Sequence, residues 1–230
     1  MIPWLKPSDP VEAFPPVTRA LEDPDGLLCA GGDLDPARIL AAYRRGIFPW
    51  YAEGQPILWW SPDPRMVLIP DELRISRSLR KSLRNRGYRV TFDQAFDEVV
   101  SQCADSGARA FEGTWISPEM HAAYVDLHRL GHAHSVEVWL GDRLVGGLYG
   151  LELGRVFFGE SMFSAETDAS KVALFHQVAA VRDRGVELID CQVASNHLFS
   201  LGARLMPRAE FVARLERAIP RRATPDRTAR

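Results

Sequence analysis

Ala133-His134-Ser135-Val136-Glu137-Val138-Trp139-Leu140 opens the stretch that decides the fold, because two more β-rich runs follow it, Leu144 to Glu152 and Arg155 to Phe163. Gly141-Asp142 and Gly154-Arg155 supply tight turns between them. A helical segment from Asp168 or Ala169 to Arg184 comes next and Gly185 stops it. The apolar run Val186 to Val193 then reads as an interior strand, and Asn196 to Leu201 as a short helix ended by Gly202. A meander, a helix, a buried strand and a helix predict an α+β domain around a central, mostly antiparallel sheet.

Working outward, Ser117-Pro118-Glu119 caps a helix to about Leu130, Asp93 to Cys103 reads as helix, and Tyr88 to Thr91 as strand. Arg74 to Arg86 has Ile75, Leu79 and Leu83 at helical spacing, with Arg77, Arg80, Lys81 and Arg84 on its other face. Between Leu73 and Phe92 lie seven basic residues and no acid. That is one place where a phosphate backbone could dock, and a solvated helix face explains it equally well. Residues 1–65 carry most of the prolines and one helix, from Asp35-Pro36 to Arg45, stopped by Gly46. We expect a small N-terminal α/β domain over 1–65, a larger domain over 66–220, and a disordered basic tail over 221–230.

Composition bounds the function. The chain has 230 residues, 46% of them hydrophobic and 25% charged, with formal net charge -2 and pI ≈ 6.3. Such a surface excludes a whole-face polyanion binder and leaves only a local basic patch. Cys29, Cys103 and Cys191 show no paired spacing, which fits a reducing compartment. No apolar run approaches the ~20 residues that span a bilayer, and Met1-Ile2-Pro3-Trp4-Leu5-Lys6-Pro7 is too broken for a signal peptide, so a cytoplasmic protein is expected.

Three of the six tryptophans, Trp50, Trp59 and Trp60, fall in a proline-rich aromatic run bracketed by Arg44-Arg45 and Arg65. Prolines and glycines from Gly46 to Pro64 break helix and strand periodicity, which predicts an irregular surface path with rings free to stack on bases. Trp50 is expected to do the stacking, and Trp59 and Trp60 to pack the two domains together.

The meander-helix-strand order resembles the second half of the GNAT acyltransferase fold. There a glycine-rich turn before the helix binds the pyrophosphate of acyl-CoA; here Ser164-Ala165-Glu166-Thr167-Asp168-Ala169-Ser170-Lys171 has no glycine and two acids, which argues against coenzyme A. More specific motifs run in order from about Phe14 to Phe211: Asp25-Gly26-Leu27-Leu28 with Gly31-Gly32-Asp33-Leu34, Tyr43-Arg44-Arg45-Gly46-Ile47-Phe48-Pro49-Trp50, Trp59-Trp60-Ser61-Pro62-Asp63-Pro64-Arg65, Thr114-Trp115-Ile116, Gly159-Glu160-Ser161-Met162-Phe163, Ile189-Asp190-Cys191-Gln192 and Ser200-Leu201-Gly202-Ala203. The chain so read resembles the bacterial leucyl/phenylalanyl-tRNA-protein transferases. The resemblance implies transfer of Leu or Phe, with Met a further candidate, from aminoacyl-tRNA to proteins beginning with Arg or Lys, marking them for the Clp protease.

The chemistry so implied is aminolysis of an activated ester, which needs no ATP, metal or cofactor, only positioning, an oxyanion partner and proton removal. Asp190 ends an apolar strand, where α/β folds present ligands; a structural cap is as well supported by sequence alone, and the resemblance gives it and Gln192 a catalytic role. Glu160 stands in an apolar strand, a costly place for a carboxylate unless it meets an amine, a cation or a structural partner. The resemblance further places Trp50, Trp115, Ser170 and Lys171 at the terminal adenosine of tRNA, and Leu148, Phe157, Met162, Leu174 and Ile189 around the transferred side chain. Aromatic residues often found along the following helix are here Gln177 and Val181, with Phe175 as a substitute wall. His128, His132 and His134 lack zinc-ligand spacing, and no metal is expected. Two rival readings are a noncatalytic tRNA-binding module and a peptidoglycan-bridge-type transferase. Carboxylates on apolar strands speak against the first, and the lack of a membrane-facing amphipathic stretch against the second. A monomer is expected.

Overall fold

The computed structural model describes residues 2–106 and 116–220. Its larger sheet begins where the proline-rich segment ends. In spatial order it comprises β11 (Arg204–Met206), β5 (Arg65–Leu68), β10 (Leu188–Gln192), β9 (Val156–Ser164), β8 (Arg143–Leu153), β7 (Ala133–Leu140) and β6 (Arg89–Phe92). All neighbours are antiparallel except β9 and β10. This is the mixed, mostly antiparallel sheet that the meander predicts, in an α+β chain.

Alternation along the strands builds two cores. Val67, Phe158 and Leu188 face one side, with Tyr124 and Leu127 of α4 (Pro118–Arg129), Val99 and Val100 of α3 (Phe96–Asp105) and Phe211 of α7 (Arg208–Ala218). Met66, Phe157 and Ile189 face the other, with Val172, Val178 and Val181 of α5 (Ala169–Asp183) and Leu79 of α2 (Arg77–Asn85). Covered on both faces, β5, β9 and β10 become apolar runs. Gly146 permits the approach of α5: a Cβ there would lie 2.4 Å from that of Ala169.

Residues 4–60 form a second sheet, ordered β1 (Trp4–Leu5), β2 (Leu27–Gly31), β4 (Leu58–Trp60), β3 (Phe48–Pro49). Helix α1 (Pro36–Tyr43) links β2 to β3; the Asp35 carboxylate accepts from the Ala37 amide, and Gly46 follows in the left-handed region at φ 74. The surface path expected for the tryptophan run is therefore corrected. Trp59 is fully buried in β4, donates to the Gly31 carbonyl at 2.9 Å and meets Phe14 edge-on at 4.8 Å. Tyr43, Phe48 and Tyr51 are buried too. Proline breaks the ladder at only one position of so short a strand, and the rings contribute more by burial than the irregular backbone costs. Trp59 shares its core with Phe158, Tyr149 and Phe211, so the small sheet packs on the large one.

Candidate active site

β9 and β10 pair only as far as Val156–Leu188, Phe157–Ile189 and Phe158–Asp190. Past that point both strands bulge. Glu160 is the unpaired residue where β9 meets β8, since Tyr149 faces Ser161 while Gly150 faces Gly159. On β10 the register against β5 shifts between Asp190 and Gln192, and Gln192 turns left-handed at φ 56. Bulges re-aim side chains, and here they open a cavity of about 490 Å³ between the parting strands.

The cavity has an apolar floor and a polar side. Leu148, Phe157, Met162, Leu174 and Ile189, the residues expected around the transferred side chain, all line it. Phe48, Pro49 and Trp50 close one wall. Trp50 is 43% exposed and packs edge-on against Trp60 at 5.5 Å, whose indole N–H donates to the Trp50 carbonyl. Trp50 thus offers a ring to solvent while its backbone is fixed.

Glu160 and Gln192 supply the polar side. Tyr43 of α1 donates to Glu160 Oε1 at 2.8 Å, Tyr124 of α4 donates to Oε2 at 2.7 Å, and Gln192 Nε2 lies 3.4 Å from Oε1. The two phenols also touch each other at 2.7 Å. Burial raises the Glu160 pKa to about 7, against the two phenol hydrogen bonds that lower it; nearby Asp190 raises it further and Arg65 lowers it. Such a carboxyl exchanges protons near neutrality.

Asp190 is fully buried and does not front the cavity. Its oxygens accept from Arg65 Nε and Nη2, each at 2.8 Å, and Oδ1 also accepts from the Gln192 backbone N–H at 3.0 Å. The Arg65 guanidinium lies between Phe48 and Phe211, 4.6 and 4.8 Å from their centroids, and donates to the Gly46 carbonyl. This fork holds Gln192 in its left-handed turn, with its amide toward Glu160. Tyr43, Tyr124 and Arg65 were not singled out as site residues from sequence. Tyr43 and Arg65 sit in the quoted motifs, whereas nothing in the sequence near Tyr124 connects it to a carboxylate on β9.

The other expected residues scatter. Ser170 and Lys171 do not line the cavity; the Ser170 amide donates to Ser164 Oγ, and Lys171 Nζ pairs with Asp168 at 2.9 Å. Gln177 and Val181 are buried, and Phe175 is not among the residues that line this cavity. A period of 3.6 residues turns both positions onto the buried stripe of α5. Arg77, Arg80, Lys81 and Arg84 are exposed on α2 with no carboxylate in ion-pair range among the described residues. Trp115 lies outside the described residues. His134 pairs with Asp93 at 2.8 Å, and His128 bonds the Ala133 carbonyl and stacks on Phe96. No helix among the described residues is long and apolar enough to cross a membrane.

The mixed sheet is covered on both faces, and its two parallel strands part over an apolar cavity beside the Glu160 carboxyl. Among solved structures the chain is similar to a GCN5-related N-acetyltransferase from Kribbella flavida, at 12% identity over 74% of this chain and 59% of that one, with TM-score 0.37. The chain belongs to the leucyl/phenylalanyl-tRNA protein transferase family: the family model matches residues 67–216, and the model of its N-terminal domain residues 32–63. Relatives named leucyl/phenylalanyl-tRNA--protein transferase include that of Aromatoleum aromaticum, 62% identical over 94% of this chain and 89% of the relative, and that of Stutzerimonas stutzeri, 58% identical over 98% and 99%.

Proposed function

We propose that this protein transfers leucine or phenylalanine from aminoacyl-tRNA to the N-terminal amine of proteins beginning with Arg or Lys, acting as a monomer in the cytoplasm and creating a degradation signal. The observation that carries the reading is one cavity with an apolar floor and a single carboxylate among its lining residues. The floor accepts the donor side chain. β-Branched side chains are excluded by shape, at about 1–3 kcal/mol per misplaced methylene.

Glu160 is the proton acceptor in this scheme. A free α-amine has a pKa of about 7.7–8.0, so part of it is neutral at cytoplasmic pH, and its nitrogen turns strongly acidic once it attacks. The C–N bond forms, the ester C–O bond breaks, and one proton passes from nitrogen by way of Glu160 to the departing ribose oxygen. Asp190 acts indirectly: with Arg65 it sets the turn that aims Gln192 at the same space. Trp50 stacks on the terminal adenine, Trp115, Ser170 and Lys171 adjoin the terminal nucleotide, and the α2 cations meet the phosphate backbone.

The test is transfer of labelled Leu or Phe from tRNA to a peptide with N-terminal Arg. Label in the peptide, and none with N-terminal Asp, is the expected result; retained tRNA binding without transfer in any peptide overturns the reading in favour of a binding module.

A further inference from the structure

His197 lines the same cavity as Glu160, yet the scheme above gives it no role. It sits in the first turn of α6 (Asn196–Ser200), directly after β10. Its backbone is fixed on both sides: Ser195 Oγ accepts from the Leu198 amide at 3.2 Å, the Ser200 hydroxyl donates to the His197 carbonyl at 2.6 Å, and Leu198 packs into the core beneath α5. The imidazole itself makes no hydrogen bond or ion pair among the described residues. A ring on an anchored backbone, at a cavity rim and without a protein partner, is placed for a ligand.

What the ligand presents there follows from the cavity's division of labour. In the reading above the apolar floor takes the donor side chain, and Glu160 with Gln192, both lining residues, face the amine. In that reading the ester leaves past the remaining lining, which includes Phe48, Pro49 and Trp50 as well as Val193, Ala194, Ser195 and His197. Desolvation lowers the His197 pKa, and Lys171 of the neighbouring α5 lowers it further by charge; Lys171 is itself paired with Asp168. At neutral pH the ring is then uncharged, with one nitrogen free to accept.

We propose that His197 is the substrate-positioning residue for the terminal ribose, accepting a hydrogen bond from the hydroxyl beside the esterified one. That interaction fixes the ester's rotation, so that its carbonyl carbon faces the amine near Glu160. The assignment rests on the aminoacyl-tRNA reading above.

The experiment crosses protein and substrate changes. Single-turnover transfer is measured for the unchanged protein, His197→Ala and His197→Asn, with Phe-tRNA ending in adenosine or in 2′-deoxyadenosine. Removing one hydrogen bond corresponds to about a tenfold slower transfer. We expect that decrease when the hydroxyl alone or the imidazole alone is removed, and no additional decrease when both are. Multiplying decreases, or an unchanged rate in His197→Ala, overturns the assignment. Absence of transfer by the unchanged protein with either tRNA overturns the aminoacyl-tRNA reading instead. Should His197→Ala not fold, His197→Asn carries the same comparison.

Discussion

Burial lifts Glu160 to about pKa 7 while Tyr43 and Tyr124 hold it down, and both rate and stability register this. Transfer should rise with pH through about 7 and then level, and Glu160→Gln should abolish it, as single-turnover rates between pH 5.5 and 8.5 will show. Tyr43→Phe and Tyr124→Phe each remove a donor that favours the charged carboxylate, so each should move the midpoint of that profile upward. The stability effect has the opposite sense. Folded Glu160 binds its proton more tightly than the unfolded chain does, near pKa 4.5, so its contribution is full below that value and is lost as pH rises through about 7. Thermal melts should show Glu160→Gln gaining on the unchanged protein from pH 5 to pH 8, by roughly 3 kcal/mol at most. A constant difference across that range would refute the burial argument.

At the scale of elements, the parting of β9 from β10 depends on a fork outside the cavity. Arg65 of β5 holds Asp190 of β10, and Asp190 holds the bulged Gln192. Cutting a buried pair leaves one charge uncompensated, at about 3–5 kcal/mol. Asp190→Asn should therefore lower the melting temperature and slow transfer while keeping a pH midpoint, moved below that of the unchanged protein because the Asp190 charge raises the Glu160 pKa; a midpoint that vanishes would return the proton to Asp190. The tryptophan run separates in the same way. Trp59→Ala should cost about 3–5 kcal/mol in denaturant titrations with little change in donor affinity per folded molecule. Trp50→Ala should weaken donor binding at nearly unchanged stability, because that ring is 43% exposed.

Across the whole molecule, a chain of net charge -2 meets a polyanion only where its cations cluster. Replacing Arg77, Arg80, Lys81 and Arg84 with alanine should lower tRNA affinity and flatten its dependence on salt, by a slope of about 0.9 for each duplex phosphate that is no longer neutralised. Filter binding at several salt concentrations decides it; an unchanged slope assigns these side chains to solvation alone. The same scale explains why two sheets make one site. Tyr43 comes from beside the small sheet and Tyr124 and Glu160 from the larger unit, and a continuous core from Trp59 to Phe158 sets the two parts at the distance those hydrogen bonds require.

The sequence by itself determined the elements and their order from Ala133 to Gly202 and the caps at Asp35 and Ser117, whereas the apolar set that lines the cavity was implied only by the family resemblance. Elements and caps follow from periodicity, turn chemistry and side-chain type, all properties of near neighbours in the chain. It did not determine the strands of the small sheet, where prolines and aromatics conceal runs of two to five residues, nor the helix Arg208–Ala218. It showed Glu160 and Asp190 as two acids on apolar strands, alike in local context. Tertiary structure alone separated them: a guanidinium from β5 closes over Asp190, while Glu160 receives only phenols and an amide beside an open cavity. A carboxylate's chemistry is set by the charges and donors brought to it across the fold, and those partners lie 32 to 125 residues away in the chain.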